Sequence, residues 1–144
     1  MKIPRKYLPK RLTRKDALQQ RRMLNQSRRA YRQGKYITRK TLKSYPHRTS
    51  QHILRAKRMY GVSRIAPNKE LALKTGCSIA ALSAIVRKGE GAYYSSGSRP
   101  NQTPQSWGLA RLASAITGSK AAKIDYHILE KGCKPHSRAL ALAK

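Results

Sequence analysis

Asn68–Gly118 reads NKELALKTGCSIAALSAIVRKGEGAYYSSGSRPNQTPQSWGLARLASAITG, and the punctuation within it decides the fold. Asn68 or Pro67 opens a helix that runs through Lys74 and stops at Gly76, and Ser78 caps a second that runs to Lys88 and stops at Gly89. After a polar loop, Thr103 followed by Pro104 is a cap and a first-turn proline. Leu109, Leu112, Ala113 and Ile116 then share one apolar helical face before Gly118.

The same pattern extends outward. Downstream, a shorter helix near Asp125–Lys131 carries Ile128 and Leu129 and stops at Gly132, and Pro135 begins a terminal helix in HSRALALAK. Upstream, Ser50 caps a helix to Tyr60, closed by Gly61, with Ile53, Ala56 and Tyr60 on one face. Thr13 and Asp16 form a capping pair for a helix over residues 14–33, whose thin apolar seam is Ala17, Leu24 and Tyr31, helped by Leu18. Residues 38–44 read as a helical turn stopped before Pro46. Pro4 and Pro9 keep residues 1–12 extended. No convincing strand pattern occurs, so the fold class is all-α. The chain divides into a basic N-terminal arm with helices, residues 1–61, and a compact helical domain, residues 62–144.

Charge sets the functional frame. The 144 residues carry 33 Lys and Arg against five acids, a net charge of +28. Residues 1–61 hold 20 of these cations and one acid, Asp16. A compact state with this surplus repels itself, and a polyanionic partner relieves the repulsion. Nucleic acid, an anionic membrane face and acidic protein surfaces all qualify. The expected contacts are Arg11, Arg14, Arg21, Arg22, Arg28, Arg29, Arg32, Lys35, Arg39, Lys40, Arg55 and Arg58. Tyr7, Tyr31, Tyr36, Tyr45 and Tyr60 are interleaved with them; base stacking is one reading, and packing is favoured because Phe is absent.

Two further stretches bear on function. ELALKTGCSIAALSAIV has the form of a helix-turn-helix, with Ala72 at the crossing, Gly76 at the turn and Leu82 and Ile85 facing inward. Its second helix, however, offers Ile79, Ala80 and Ala84 where base-reading side chains belong, leaving Ser78, Ser83, Arg87 and Lys88. A buried helical hairpin is therefore favoured. In the loop GEGAYYSSGSRPNQTPQSW, Tyr93, Ser95, Ser96, Ser98 and Arg99 offer donors to an anion or partner, together with the helix N-terminus at Thr103. The alternative is a structural loop pinned by Tyr93, Tyr94 and Trp107.

Chemistry is not indicated. Asp16, Glu70, Glu90, Asp125 and Glu130 are scattered, and His47, His52, His127 and His136 lack zinc spacing, so no enzyme activity, cofactor, metal or small-molecule substrate is expected. Cys77 and Cys133 lie in no CxxC motif. Without a secretory signal, buried thiols are favoured over a disulfide. No apolar run reaches the length of a spanning helix.

Gly91–Cys133 (GAYYSSGSRPNQTPQSWGLARLASAITGSKAAKIDYHILEKGC) resembles a domain family of unassigned function in large double-stranded DNA viruses of algae and protists, with relatives in some tailed phages. KYITRKTLKSY and NKELALKTGCSIAAL share the resemblance, which covers about residues 35–143. It implies a viral protein and brings no catalytic residues. The expectation is a minor structural, virion-associated protein, located in the virion. Its basic arm would bridge other capsid proteins, packaged DNA or an anionic inner-membrane surface. The alternative is a nucleic-acid-binding protein, either nonspecific or of helix-turn-helix type.

Overall fold

A computed structural model describes residues 2–144, and within them the fold is all-α. A 3-10 turn at Arg5–Tyr7 precedes α1 (Arg14–Arg32), α2 (Gln51–Tyr60), α3 (Lys69–Thr75), α4 (Ile79–Ser95), α5 (Pro104–Ile116), α6 (Lys120–Ile124), α7 (Tyr126–Gly132) and α8 (Arg138–Ala143). The capping residues act as their chemistry predicts. Thr13, Ser50, Asn68 and Ser137 each accept a backbone N–H of the first helical turn through the side-chain oxygen. Thr103 and Ser106 cap each other reciprocally, each hydroxyl accepting the other's N–H. Gly61 and Gly76 end α2 and α3 in the left-handed conformation.

The chain forms two compact units, and their boundary is not the one expected at residue 61. One unit joins the chain up to Arg48 with Glu90–Trp107; the other joins Thr49–Gly89 with Gly108–Lys144. Residues 2–48 are thus part of a packed unit and not a separate basic arm. They hold few apolar residues, so their order depends on polar side chains that reach distant backbone. In α1 the buried face is Gln20, Met23, Leu24, Ser27, Arg28 and Ala30, while Leu18 and Tyr31 of the expected seam are exposed. The register differs because carbonyls of the 96–98 segment satisfy the polar members. Gln20 Nε2 donates to Tyr7 O (3.1 Å) and Ser98 O (3.4 Å), and Arg28 Nε donates to Ser96 O (2.7 Å). A small cluster of Leu12, Met23 and Leu42 completes the interior.

Residues 38–44 form no helix. Asn101 holds this stretch in place instead: Oδ1 accepts Leu42 N (2.6 Å), and Nδ2 donates to Leu42 O (3.2 Å) and Tyr45 O (2.6 Å). Asp16 does not close the capping box. Its carboxylate accepts both Ser44 Oγ (2.5 Å) and Ser44 N (3.0 Å), and those hydrogen bonds hold its pKa below the usual carboxylate range.

The second unit has a conventional apolar core, including Tyr60, Leu71, Leu82, Ile85, Leu112, Ile116, Leu129 and Leu140. Here α4 does not end at Gly89; it continues through Gly89 and Gly91 to Ser95. Gly89 serves close packing: a Cβ at that position would lie 2.5 Å from the Gly108 Cα of α5. The segment before Asp125 forms α6, an element the pattern did not announce, and α7 follows it. Cys77 and Cys133 are joined in a disulfide, which corrects the expectation of buried thiols. Backbone pairing brings them together, with Ser78 N donating to Gly132 O and Lys134 N to Gly76 O, both at 2.8 Å.

Candidate polyanion-binding surface

An α-helix advances about 100° per residue, which puts Arg14, Arg21, Arg22, Arg29 and Arg32 within an arc of about 100° on α1. All five are exposed, opposite the buried face. At 1.5 Å per residue the stripe is about 27 Å long. Its carrier is fixed at one end by the Thr13 cap and along its inner face by Gln20 and Arg28, so the arginines project from a held element. Beside the N-terminal half of the stripe lies a shallow hollow of about 350 Å³, with Leu8, Leu12 and Leu18 on its apolar part and Lys10, Arg14 and Arg21 supplying charge.

The remaining expected contacts separate into outward and inward groups. Arg11, Lys35, Lys40 and Arg99 are exposed in the same unit, and Arg55 and Arg58 are exposed on α2 of the other. Arg28 and Arg39 are not available as surface cations. Arg28 is buried against the carbonyls of Ser96 (2.7 Å) and Lys2 (3.3 Å). Arg39 donates to Ser27 Oγ (2.7 Å) and Ser98 Oγ (3.0 Å), with its guanidinium 3.7 Å from the centre of the Tyr93 ring. Burial pushes the Arg39 pKa down, and the cation–π contact offsets part of that desolvation.

Two of the loop residues are likewise internal. Tyr93 is fully buried and its hydroxyl accepts Arg39 N (2.9 Å); Ser98 is buried, with its hydroxyl donating to Arg99 O (2.8 Å). They pin the loop instead of facing an anion, as the alternative reading of that stretch has it. Ser95 and Ser96 are exposed. At Thr103 the reciprocal cap with Ser106 occupies two N–H donors that an anion would need.

In the other unit the hairpin residues sit where helix packing requires: Leu82 and Ile85 are buried, and Gly76 is left-handed. A Cβ on Gly76 would lie 2.6 Å from Ser137 Cβ, so this turn is also a packing contact. Toward solvent, the start of α4 presents Ser78, Ile79 and Ala80, with Arg87 and Lys88 further along. A feature that spacing did not reveal is Asp125, fully buried and gripped by Arg111 through Nε–Oδ2 (2.7 Å) and Nη2–Oδ1 (2.8 Å), with Lys88 Nζ at 3.9 Å. Among the described residues no three potential metal ligands gather, and no helix is long and apolar enough to cross a membrane.

A family described as a family of unknown function (DUF5824) matches residues 4–130. The chain belongs to that family. The DUF5824 match takes in the arginine stripe and the Asp125 pair alike, and extends further toward the N-terminus than the resemblance over residues 35–143. Neither the curated proteins nor the solved structures gave a match.

Proposed function

We propose that this protein binds nucleic acid through the phosphate backbone, without catalysis, as a coating or packaging protein. The observation that carries the reading is the outward stripe of Arg14, Arg21, Arg22, Arg29 and Arg32 on α1. Arginine forks match phosphate oxygens, and a rigid row of them follows a backbone of regularly spaced charges. With five acids in the whole chain, internal pairing cannot neutralise 33 cations. Helix α4 offers little to base edges, which favours sequence-independent binding over a helix-turn-helix regulator.

Duplex DNA titrated at several salt concentrations tests this. Log affinity should fall linearly with log salt, by about 0.9 per neutralised phosphate. Replacing Arg14, Arg21, Arg29 and Arg32 with Gln should flatten that slope by about 3 to 4. An unchanged slope would refute the stripe as the contact surface.

A second reading, a minor virion-associated structural protein seated among capsid proteins, is favoured by the exposed apolar side chains Leu73 (84% exposed), Ile79 and Ile124. Such groups suit a protein neighbour. Copurification with capsid at fixed stoichiometry, and without affinity for DNA, would select it.

A further inference from the structure

Of the eight tyrosines, Tyr31 and Tyr36 are the exposed ones, at 39% and 68%, and they touch each other. The reason is local. Helix α1 ends at Arg32, and Gly34 takes φ +77°, a left-handed turn closed by Gly34 N to Tyr31 O (2.9 Å) and Lys35 N to Ala30 O (2.9 Å). This reversal returns Tyr36 to the helix it has just left. Its ring centre lies 6.0 Å from that of Tyr31 and 5.1 Å from that of Tyr94, with interplanar tilts of 44° and 41°. Tyr94 in turn meets the buried Tyr93 edge-on at 5.2 Å. The rings form a ladder running from the interior of the unit to solvent.

The outer end of the ladder is set in positive charge. Arg32 and Lys35 are exposed within the turn, and Arg29 lies one helical turn back on the arginine stripe. Packing alone does not account for Tyr36, because two-thirds of its surface remains in water while the interior tyrosines, Tyr7, Tyr60 and Tyr93, are sealed. An exposed, pre-oriented aromatic group beside arginines that continue along a helix has the two elements of a single-strand binding surface: a face for a base and a track for the backbone. A duplex keeps its bases stacked on one another and has no use for such a ring.

We propose that Tyr36, supported by Tyr31 and Tyr94, is a stacking platform for an unpaired base of single-stranded nucleic acid whose backbone follows Arg29, Arg32 and Lys35. This deepens the phosphate-binding reading and rests on it: the ladder makes single strands the preferred form.

The test compares a labelled 20-nucleotide oligo(dT) with a 20-base-pair duplex, both titrated against the full chain at two salt concentrations. The wild type should favour the single strand. Tyr36→Ala should weaken oligo(dT) binding by about 10-fold, the scale of one lost base–aromatic stack. Duplex affinity and both salt slopes should stay within about 2-fold, since no charge changes. Tyr36→Phe retains the ring and should restore oligo(dT) affinity, and it serves as the check should the alanine variant fold poorly. Equal losses on both ligands, or none on either, would overturn the platform while leaving phosphate binding intact. So would a dimer dissociated by Tyr36→Ala, which would assign the rings to self-association. A wild type that binds neither ligand would remove the phosphate-binding reading and this inference with it.

Discussion

Two glycines two residues apart in α4 offer a test in which the sign of the effect decides. Gly89 and Gly91 both lie inside a continuous helix. By intrinsic propensity alone, each Gly→Ala change should stabilise the helix by about 0.8–1.0 kcal/mol. Their surroundings differ. A Cβ on Gly91 meets nothing within 4 Å. A Cβ on Gly89 would lie 2.5 Å from Gly108 Cα and 3.2 Å from both Gly108 N and Arg111 Cβ. Gly108 has no side chain to rotate aside, so relief requires α4 and α5 to separate at their crossing. Overpacking a core costs about 1–3 kcal/mol, and a 2.5 Å approach to backbone that cannot rotate aside belongs to the upper half of that range, about 2–3 kcal/mol. Subtracting the propensity gain leaves Gly89→Ala destabilising by about 1–2 kcal/mol, and Gly91→Ala stabilising by up to about 1 kcal/mol.

Thermal melts followed by far-UV circular dichroism resolve such a difference. For a chain of this size, about 1 kcal/mol corresponds to a shift of about 3–5 °C. Gly89→Ala should melt several degrees below the wild type and Gly91→Ala slightly above it, with urea midpoints moving in the same order. A Gly89→Ala protein as stable as the wild type would refute the close crossing.

Asp125 is buried and held by Arg111 from two sides, so Asp125→Ala leaves the guanidinium without its partner and should cost about 3 kcal/mol or more. Urea unfolding measures this, and a loss below about 0.5 kcal/mol would show the pair to be dispensable. Tyr60 gives the pH dependence. Its hydroxyl donates to Ile116 O, and burial raises its pKa to about 12. A phenol whose folded pKa is raised stabilises fully below its ordinary value of about 10, and that contribution is lost as the pH climbs from about 10 to about 12. Burial raises Tyr7 as well, so tyrosinate absorbance recorded with circular dichroism should show phenols ionising together with unfolding, Tyr60 among them, and Tyr60→Phe should remove that one. Ionisation of that phenol near pH 10 with the fold intact would contradict this.

The elements that end on a local cap were legible in the residues themselves. Thr13, Ser50, Asn68 and Thr103 mark their helices because an orphan N–H at a first turn needs a nearby side-chain oxygen. The failures share a different origin. Gly89 after a lysine has the local grammar of a stop, and only its approach to Gly108, 19 positions on, makes it a packing residue. The inward face of α1 escaped a hydrophobicity pattern because Gln20, Ser27 and Arg28 bury polar atoms against partners many residues away. Cys77 and Cys133 are 56 positions apart, and nothing in either neighbourhood announces the backbone pairing that joins them. In the candidate surface, exposure of alternate arginines on α1 follows from periodicity, whereas the withdrawal of Arg39 depends on where Tyr93 and Ser98 fall.

That withdrawal changes what the positive charge means. The buried Arg28 meets carbonyl oxygens, and the half-buried Arg39 meets hydroxyls and an aromatic face, so each places a guanidinium inside a unit whose acids are Asp16 and Glu90 alone. Each interior cation adds to the field felt at the surface without being able to touch a ligand. Removing either one disturbs the loop it holds, through Ser96 for Arg28 and Ser98 for Arg39, so lost binding in such a variant reports a lost fold and not a lost contact. The surface arginines of α1 lack that role, because their helix is capped and its inner face is already satisfied. On the proposed reading a polyanion would meet charges of two kinds: outer ones free to pair with its phosphates, and inner ones that attract it from a distance while holding the frame on which the outer ones stand.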